Sequence, residues 1–338
     1  MQQRIFMGRT LIDKGDDFRL GVLDCVKSSN NKLVLKEDCL KGNYESPEIN
    51  SNRFKNLVSS WNAETPEGTE IEVCFKVRSE DKWSKWFSYG KWSIHGNRGS
   101  IKGQKDTMAY MDVDILKIAY EKEADGFKYK IIMTRDDTNK ESPNVKSISA
   151  ALKLCQNIQS SLGESKSWIR ELDVPKRSQM VVPKIGNIIC SPTSLSMVME
   201  YYGKKVDTEE VAANVFDNGE GIYGNWSYNV AYAGSLGFAA YVERYTSADD
   251  IKCKIAEGIP VIASIRTKSK EDLCGSPSAY PSGHLLVVRG FVIKDGEEYV
   301  IVNDPAAMEH DTVRREYKLS EFEKAWGKIV YILHPDSK

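Results

Sequence analysis

Cys190 opens a stretch, Ile189-Cys190-Ser191-Pro192-Thr193-Ser194-Leu195-Ser196-Met197-Val198-Met199-Glu200-Tyr201-Tyr202-Gly203, whose residue types read as one helix. Ser191 can cap it, Pro192 suits a first position where the missing N–H had no partner, and Gly203 can close it in a left-handed turn. A cysteine at the mouth of a helix faces free N–H groups and roughly half a positive charge, which favours thiolate over thiol and lowers the pKa from about 8.5. That is how a cysteine becomes a nucleophile. The chain has seven cysteines, and one on its own is as readily a small buried apolar side chain. The assignment therefore depends on partners.

Two partners come from strand patterning. Residues 259–265, 284–293 and 298–303 read as strands, the last two joined by Lys294-Asp295-Gly296-Glu297. If Ile293 faces Glu298, His284 falls opposite a position near 307, close to Asp304 at the end of its strand. A histidine entering a strand with an aspartate beside it is an oriented imidazole, able to act as general base and acid. Cys190, His284 and Asp304 together supply the nucleophile, base and orienter of a cysteine hydrolase.

The elements that must position these residues have their own signatures. Asp207 with Glu210 is a capping arrangement for a helix carrying Val211, Ala212, Val215 and Phe216, and Ser247 with Asp250 does the same for one closed by Gly258. Residues 225–237, with Trp226, Val230, Tyr232 and Leu236 apolar, read as a further helix. Helices first and an antiparallel sheet after them is an α+β layout.

The first half has a different period. Ile71, Val73, Phe75 and Val77 alternate with Glu70, Glu72, Lys76 and Arg78, and Phe127, Tyr129, Ile131 and Met133 repeat the pattern. Short apolar runs at 33–35, 111–118 and 145–154, separated by turn residues such as Thr65-Pro66-Glu67-Gly68, complete a set of strands without helical period. This implies an all-β sandwich of jelly-roll type. Trp61, Trp83, Trp86 and Trp92 cluster here, either as a displayed surface for a carbohydrate or peptide ligand or as core packing. Linker composition at Gln159-Ser160-Ser161-Leu162-Gly163-Glu164-Ser165 divides the chain into a β-module over 1–160, a linker over 161–170 and an α+β domain over 171–338. A fragment starting near Ser165 is expected to stay folded.

Composition narrows the function classes. The formal charge of −1 over 338 residues, with 41% hydrophobic residues, fits a globular chain and offers no general attraction to nucleic acid or anionic lipid. No apolar run reaches transmembrane length and the first residues lack the apolar core of a signal peptide, so the chain as it stands is expected to be cytoplasmic, or secreted or on the cell surface had a signal been removed. The odd cysteine count, without CxxC spacing or a histidine at zinc-finger distance, argues against zinc and against a disulfide framework. No metal or organic cofactor is expected.

With these residues in place, the second half resembles the papain-fold cysteine peptidases related to the bacteriocin-leader-processing, double-glycine peptidases of bacteria. The resemblance runs through Val174-Pro175 to Ser178-Gln179, Cys190-Ser191-Pro192-Thr193-Ser194, Gly224-Asn225-Trp226, Gly258-Ile259-Pro260-Val261, Gly283-His284-Leu285-Leu286-Val287-Val288-Arg289-Gly290-Phe291, Val302-Asn303-Asp304-Pro305-Ala306-Ala307 and Phe322-Glu323-Lys324-Ala325-Trp326. The first half is similar to the β-module of one bacterial branch, through residues 59–69 and Trp83-Ser84-Lys85-Trp86. The resemblance implies a peptide or protein substrate, Cys190 as nucleophile, His284 as base, Asp304 as orienting acid and Gln179 as oxyanion-hole donor. It also puts Asn225 and Trp226 beside the substrate, although helix packing accounts for Trp226 equally well. Ser191 departs from the glycine many relatives carry there. The leader-processing enzymes are fused to membrane transporters and this chain has no membrane segment, so cleavage after a double glycine is not implied. An amidase or acyltransferase using the same triad, and a peptide- or cell-wall-binding protein with an idle triad, are the rival readings.

Overall fold

A computed structural model describes residues 3–156, 158 and 166–336. Residues 161–165 of the expected linker lie outside the described residues. The chain divides into two compact units, Met1–Asn157 with Phe216–Gly237, and Ile158–Val215 with Phe238–Lys338. It therefore passes from one unit to the other three times.

The first unit is β-rich. Its long strands are Ile49–Glu64, Thr69–Ser79, Ala124–Arg135 and Asn144–Leu154. Thr69–Ser79 pairs antiparallel with Ala124–Arg135, Val73 facing Ile131, and Ile49–Glu64 pairs antiparallel with Asn144–Leu154. The alternating side chains Ile71, Val73, Phe75 and Val77 are buried, as are Phe127, Tyr129, Ile131 and Met133. Fourteen strands of the described residues join in one hydrogen-bonded network. That pairing does not by itself divide into the two faces of a jelly roll.

The strand Ile49–Glu64 carries no alternating pattern, and for good reason. Its residues 57–63 are buried on both faces, because neighbouring strands flank it and the helix Trp226–Ser235 packs on it. Some of the polar groups there are paired locally: Ser60 Oγ lies 2.5 Å from Ser149 Oγ, and Ser227 Oγ donates to the Ser59 carbonyl at 2.7 Å. The helix comes so close that a Cβ on Gly234 would stand 2.7 Å from Asn62 Nδ2 and 2.9 Å from Asn62 Cα. Trp61 and Trp92 are core residues, with ring centroids 6.2 and 5.5 Å from that of Tyr228. They display nothing to a ligand. Trp83 and Trp86 are half-buried beneath lysines, Lys76 Nζ lying 5.2 and 4.6 Å from their ring centroids.

The second unit holds one six-stranded antiparallel sheet in the order Phe238–Arg244, Trp326–Pro335, Val261–Ile265, His284–Lys294, Glu297–Asn303, Arg314–Lys318. Among the described residues four α-helices accompany it: Cys190–Tyr201, Thr208–Val215, Ala248–Ala256 and Leu319–Ala325. Ser247 and Asp250 form the expected capping box. Three of the six strands were not expected from patterning, and two of them, Phe238–Arg244 and Arg314–Lys318, each precede a helix, so the order is not strictly helices then strands. Ile293 does face Glu298, but the register slips by one between Val288 and Gly290, where Arg289 forms a bulge. Leu172 N–H donates to the Arg289 carbonyl at 2.7 Å and Glu171 bridges to Gly290, where a Cβ would sit 2.2 Å from the Arg170 carbonyl oxygen. The bulge thus anchors the segment that leads to Gln179.

Because Phe216–Gly237 completes the core of the first unit, cutting near residue 160 separates Tyr228 and Gly234 from Trp61, Trp92 and Asn62. A fragment starting near Ser165 is therefore expected to be insoluble or to melt well below the intact chain. Circular dichroism on heating checks this, and a fragment melting at the intact chain's temperature would contradict the shared core.

Candidate active site

The helix that carries Cys190 begins at Cys190 itself, two residues earlier than a Ser191 cap would require. Ile189 occupies the cap position with φ −116° and ψ 31°, and no side chain caps the helix there. The Thr193 hydroxyl and N–H both donate to the Ile189 carbonyl, at 2.7 and 3.0 Å, while the Ser191 hydroxyl turns to Tyr331 at 3.3 Å. With no hydroxyl folded over the first turn, its N–H groups are left to the cysteine. Gly203 closes the helix as expected, with φ +85° and its N–H on the Glu200 carbonyl at 2.8 Å. Ser194 Oγ donates to the Leu285 carbonyl at 3.2 Å, which ties the helix to the strand that starts with His284.

His284 is the first residue of its strand and follows Gly283, whose φ of +98° suits glycine alone. The structure places His284 Nε2 2.8 Å from Asp304 Oδ1, both side chains buried. With Nε2 committed to the aspartate, Nδ1 is the ring nitrogen left for the Cys190 sulfur. Asp304 follows the last residue of the strand Glu297–Asn303, its N–H on the Val313 carbonyl at 2.7 Å. Its second oxygen, Oδ2, accepts the hydroxyls of Tyr280 and Tyr317, each at 2.8 Å.

Gln179 joins the same knot through its backbone, its N–H donating to the Pro305 carbonyl at 2.8 Å. Ser178 holds that loop, its N–H on His310 Nδ1 at 2.9 Å and its hydroxyl on the Ala307 carbonyl. Gly186 lies against the loop from the other side: a Cβ there would be 2.6 Å from the Gln179 carbonyl oxygen. The Gln179 side chain is buried and its Oε1 has no hydrogen-bond partner. Upstream, Asn303 Nδ2 donates to the Val174 and Pro175 carbonyls at 3.3 and 3.0 Å, and Arg289 Nη1 donates to Val174 O at 3.0 Å and Asn303 Oδ1 at 3.1 Å. Gly186, Arg289, Asn303, Tyr280 and Tyr317 were missed by sequence reasoning. Only Gly290, beside Arg289, leaves a trace there, as a residue that a strand interior does not favour.

Asn225 and Trp226 belong to the first unit. Asn225 caps the Trp226–Ser235 helix through its Oδ1 on the Tyr228 N–H at 3.2 Å, and its Nδ2 donates to Asp217 Oδ2 at 2.8 Å. The Trp226 N–H donates to Asp114 Oδ2. These bonds serve that unit.

The electrostatics of the knot follow from burial and partners. Burial pushes the Cys190 thiol up, but the His284 side chain and the backbone N–H groups of Leu285 and Ser191 outweigh it and bring the pKa below the ordinary value. Burial likewise opposes charge on His284. The Asp304 carboxylate, by charge and by hydrogen bond, and then Cys190 overcome that and push the imidazole up to about 10. Asp304 is held below its ordinary value against burial by His284, Tyr280 and Tyr317. Both shifts run toward a thiolate–imidazolium pair. Among the described residues no group of three or more His, Cys, Asp or Glu side chains could hold a metal ion, and no helix is long and apolar enough to cross a membrane.

Comparison with known proteins places both halves. Residues 171–333 match the Peptidase C39 like family and residues 27–152 match the Peptidase C39 N-terminal domain. No match was found among the curated proteins. Among solved structures, the chain is similar to a double glycine motif protease from an AMS/PCAT transporter in complex with its leader peptide, at 24% identity over 49% of this chain and 94% of that one, TM-score 0.35. It is similar to a C39-like peptidase from Bacillus anthracis, at 20% identity over 50% and 100% of the two chains, TM-score 0.37. A third likeness is to the peptidase domain of Streptococcus ComA, a bifunctional ABC transporter of a quorum-sensing pathway, at 17% identity over 49% and 98%, TM-score 0.33.

Cys25 beside it raises Cys39 to about 11, and burial with nearby acids raises Cys155 to about 11, Cys74 to about 12 and Cys253 above its ordinary value, so at pH 6 these four remain thiols. Iodoacetamide at pH 6 should therefore label Cys190 well ahead of them. In His284→Ala the charge that lowers the Cys190 pKa is gone while the burial that raises it stays, so labelling at pH 6 should slow by about tenfold or more, one pKa unit being a factor of ten. Peptide mapping of the labelled sites reads this, and an unchanged Cys190 rate would remove His284 from the pair.

Proposed function

Because residues 171–333 belong to the Peptidase C39 like family and form a cysteine-type peptidase domain, a hydrolase, we propose that Cys190, His284 and Asp304 are its catalytic triad and that it hydrolyses peptide bonds. The observation that carries this reading is the 2.8 Å bond from His284 Nε2 to Asp304 Oδ1, which leaves Nδ1 of the same imidazole for Cys190.

The Cys190 thiolate attacks the scissile carbonyl and the carbonyl oxygen takes up negative charge. The Cys190 N–H, free at the start of its helix, and the Gln179 Nε2 amide are the donors aimed at that charge, each typically worth about 2.7 to 4 kcal/mol in the transition state. His284, protonated and held by Asp304, gives its proton to the leaving amine and the acyl group stays on sulfur. His284 then takes a proton from water, the hydroxide displaces the acyl group, and the thiolate is restored. The imidazole serves in both half-reactions because Asp304 stabilises its charged form without taking its proton.

The condition of Gln179 supports its role. Its side chain is buried. Gln179 is also placed by a bond to Pro305, the neighbour of Asp304, so its position and the position of the triad are set together.

Two variants test the assignment on a peptide library read by mass spectrometry. Cys190→Ala should abolish turnover with the melting temperature unchanged, since it removes the nucleophile and little volume. Gln179→Ala should lower kcat by roughly two to three orders of magnitude, with KM and the alkylation rate of Cys190 near wild type. Undiminished cleavage by Cys190→Ala would end the reading. A kcat loss below about threefold, or alkylation slowing in step with turnover, would make Gln179 structural.

A further inference from the structure

The Asp304 side chain is fully buried, and a carboxylate in that position must have its charge answered by donors. Its Oδ1 accepts His284 Nε2 at 2.8 Å and the Ala306 N–H at 3.1 Å; its Oδ2 accepts the Tyr280 and Tyr317 hydroxyls, both at 2.8 Å. Half of the donors are thus phenols from two separate elements. Tyr317 sits on the strand Arg314–Lys318, where it faces Val300 of the neighbouring strand. Tyr280 lies in the turn ahead of His284, fixed by its N–H on Thr267 Oγ1 at 2.8 Å and by the Gly283 N–H on its own carbonyl at 3.1 Å.

Tyr280 makes a second contact. Its ring lies flat on the His284 imidazole, centroids 4.0 Å apart and planes within 8°. One residue therefore grips both members of the His–Asp pair, the imidazole by its face and the carboxylate by its hydroxyl. Burial beside Asp304 raises the pKa of both phenols, so each stays a hydrogen-bond donor through the neutral range. A carboxylate rotates freely about its last bond, and an imidazole about its own. With Oδ2 fixed at two points and the ring plane fixed by stacking, neither rotation is available.

We propose that Tyr280 and Tyr317 are positioning residues, which lock the Asp304 carboxylate and the plane of the His284 ring so that the imidazole presents Nδ1 to Cys190. The proposal rests on the triad reading above. It assigns the two tyrosines different tasks. Tyr317 acts on the carboxylate alone, whereas Tyr280 acts on the carboxylate by its hydroxyl and on the imidazole by its ring.

Tyr317→Phe, Tyr280→Phe and Tyr280→Leu in the intact chain separate these tasks, measured for kcat and KM on a cleaved peptide and for Cys190 alkylation by iodoacetamide at pH 6. Loss of a hydrogen bond to a charged group predicts that each phenylalanine variant loses about tenfold in kcat, with KM within about twofold, and that Cys190 alkylation slows alongside. Tyr280→Leu should lose more than Tyr280→Phe, which keeps the stacked ring. Matched far-ultraviolet circular dichroism confines the comparison to folded chains. Should Tyr317→Phe fail to fold, the Tyr280→Phe and Tyr280→Leu pair decides alone. Either phenylalanine variant with wild-type kcat and wild-type alkylation overturns the proposal as stated, as does equal activity in Tyr280→Phe and Tyr280→Leu. His284→Ala, run in parallel, keeps the two readings apart: slowed alkylation there with unaffected tyrosine variants leaves the triad standing and removes the tyrosines. Unslowed alkylation in His284→Ala removes the triad, and the positioning role with it.

Discussion

A single buried negative charge organises the second unit. Asp304 is fully buried, and four donors from three stretches of chain meet on its two oxygens: Tyr280 and His284, Ala306, and Tyr317. Each donor fixes the element that carries it. The charge in turn keeps His284 protonated against burial, and the protonated imidazole keeps Cys190 below its ordinary pKa. Removing one partner of such an arrangement leaves a buried charge unpaired, which costs far more than the loss of a surface ion pair. The network is therefore cooperative, and its members are not separable into independent contributions.

The backbone around the charge is arranged to the same end. Asp304 lies just past the end of its strand, the Pro305 carbonyl takes the Gln179 N–H, and Ser178 is held by Ala307 and His310. The one-residue bulge at Arg289 lets the 168–174 segment dock on the strand of His284, and Asn303 ties Val174 and Pro175 to that sheet. A loop with little regular structure of its own is thus set by bonds to strand ends on both sides. The first unit solves a different problem: it buries a strand rich in serine and asparagine on both faces, and it does so by taking a helix from the middle of the other half of the chain.

What the sequence could and could not reveal follows from these facts. The His284–Asp304 pairing was legible because a hairpin turn sets the register, and the bulge shifts it by only one residue. The Cys190 helix was legible from proline and glycine, but its cap was misjudged: Thr193 competes for the Ile189 carbonyl, and Ser191 finds Tyr331, a residue 140 positions away. Alternating strands announced themselves, whereas Ile49–Glu64 could not, since a strand buried on both faces loses its period and here carries polar residues. Helical spacing showed that residues near 226–235 form a helix and contained nothing about which unit would receive it. Tyr280 and Tyr317 were invisible because an isolated tyrosine has no local signature, and Gln179 was indicated by resemblance alone.

The central claim is that the Asp304 charge holds His284 protonated and oriented. The most direct measurement is the titration of the His284 ring nitrogens by nuclear magnetic resonance on 15N-histidine-labelled protein, in the wild type and in Asp304→Asn. The account predicts an imidazole that stays protonated well above neutral pH in the wild type. In Asp304→Asn burial is no longer opposed by the carboxylate, so the imidazole should lose its proton at or below about 6.5, the ordinary value for histidine. A wild-type His284 that titrates near 6.5, or one whose titration is unmoved by Asp304→Asn, would contradict it.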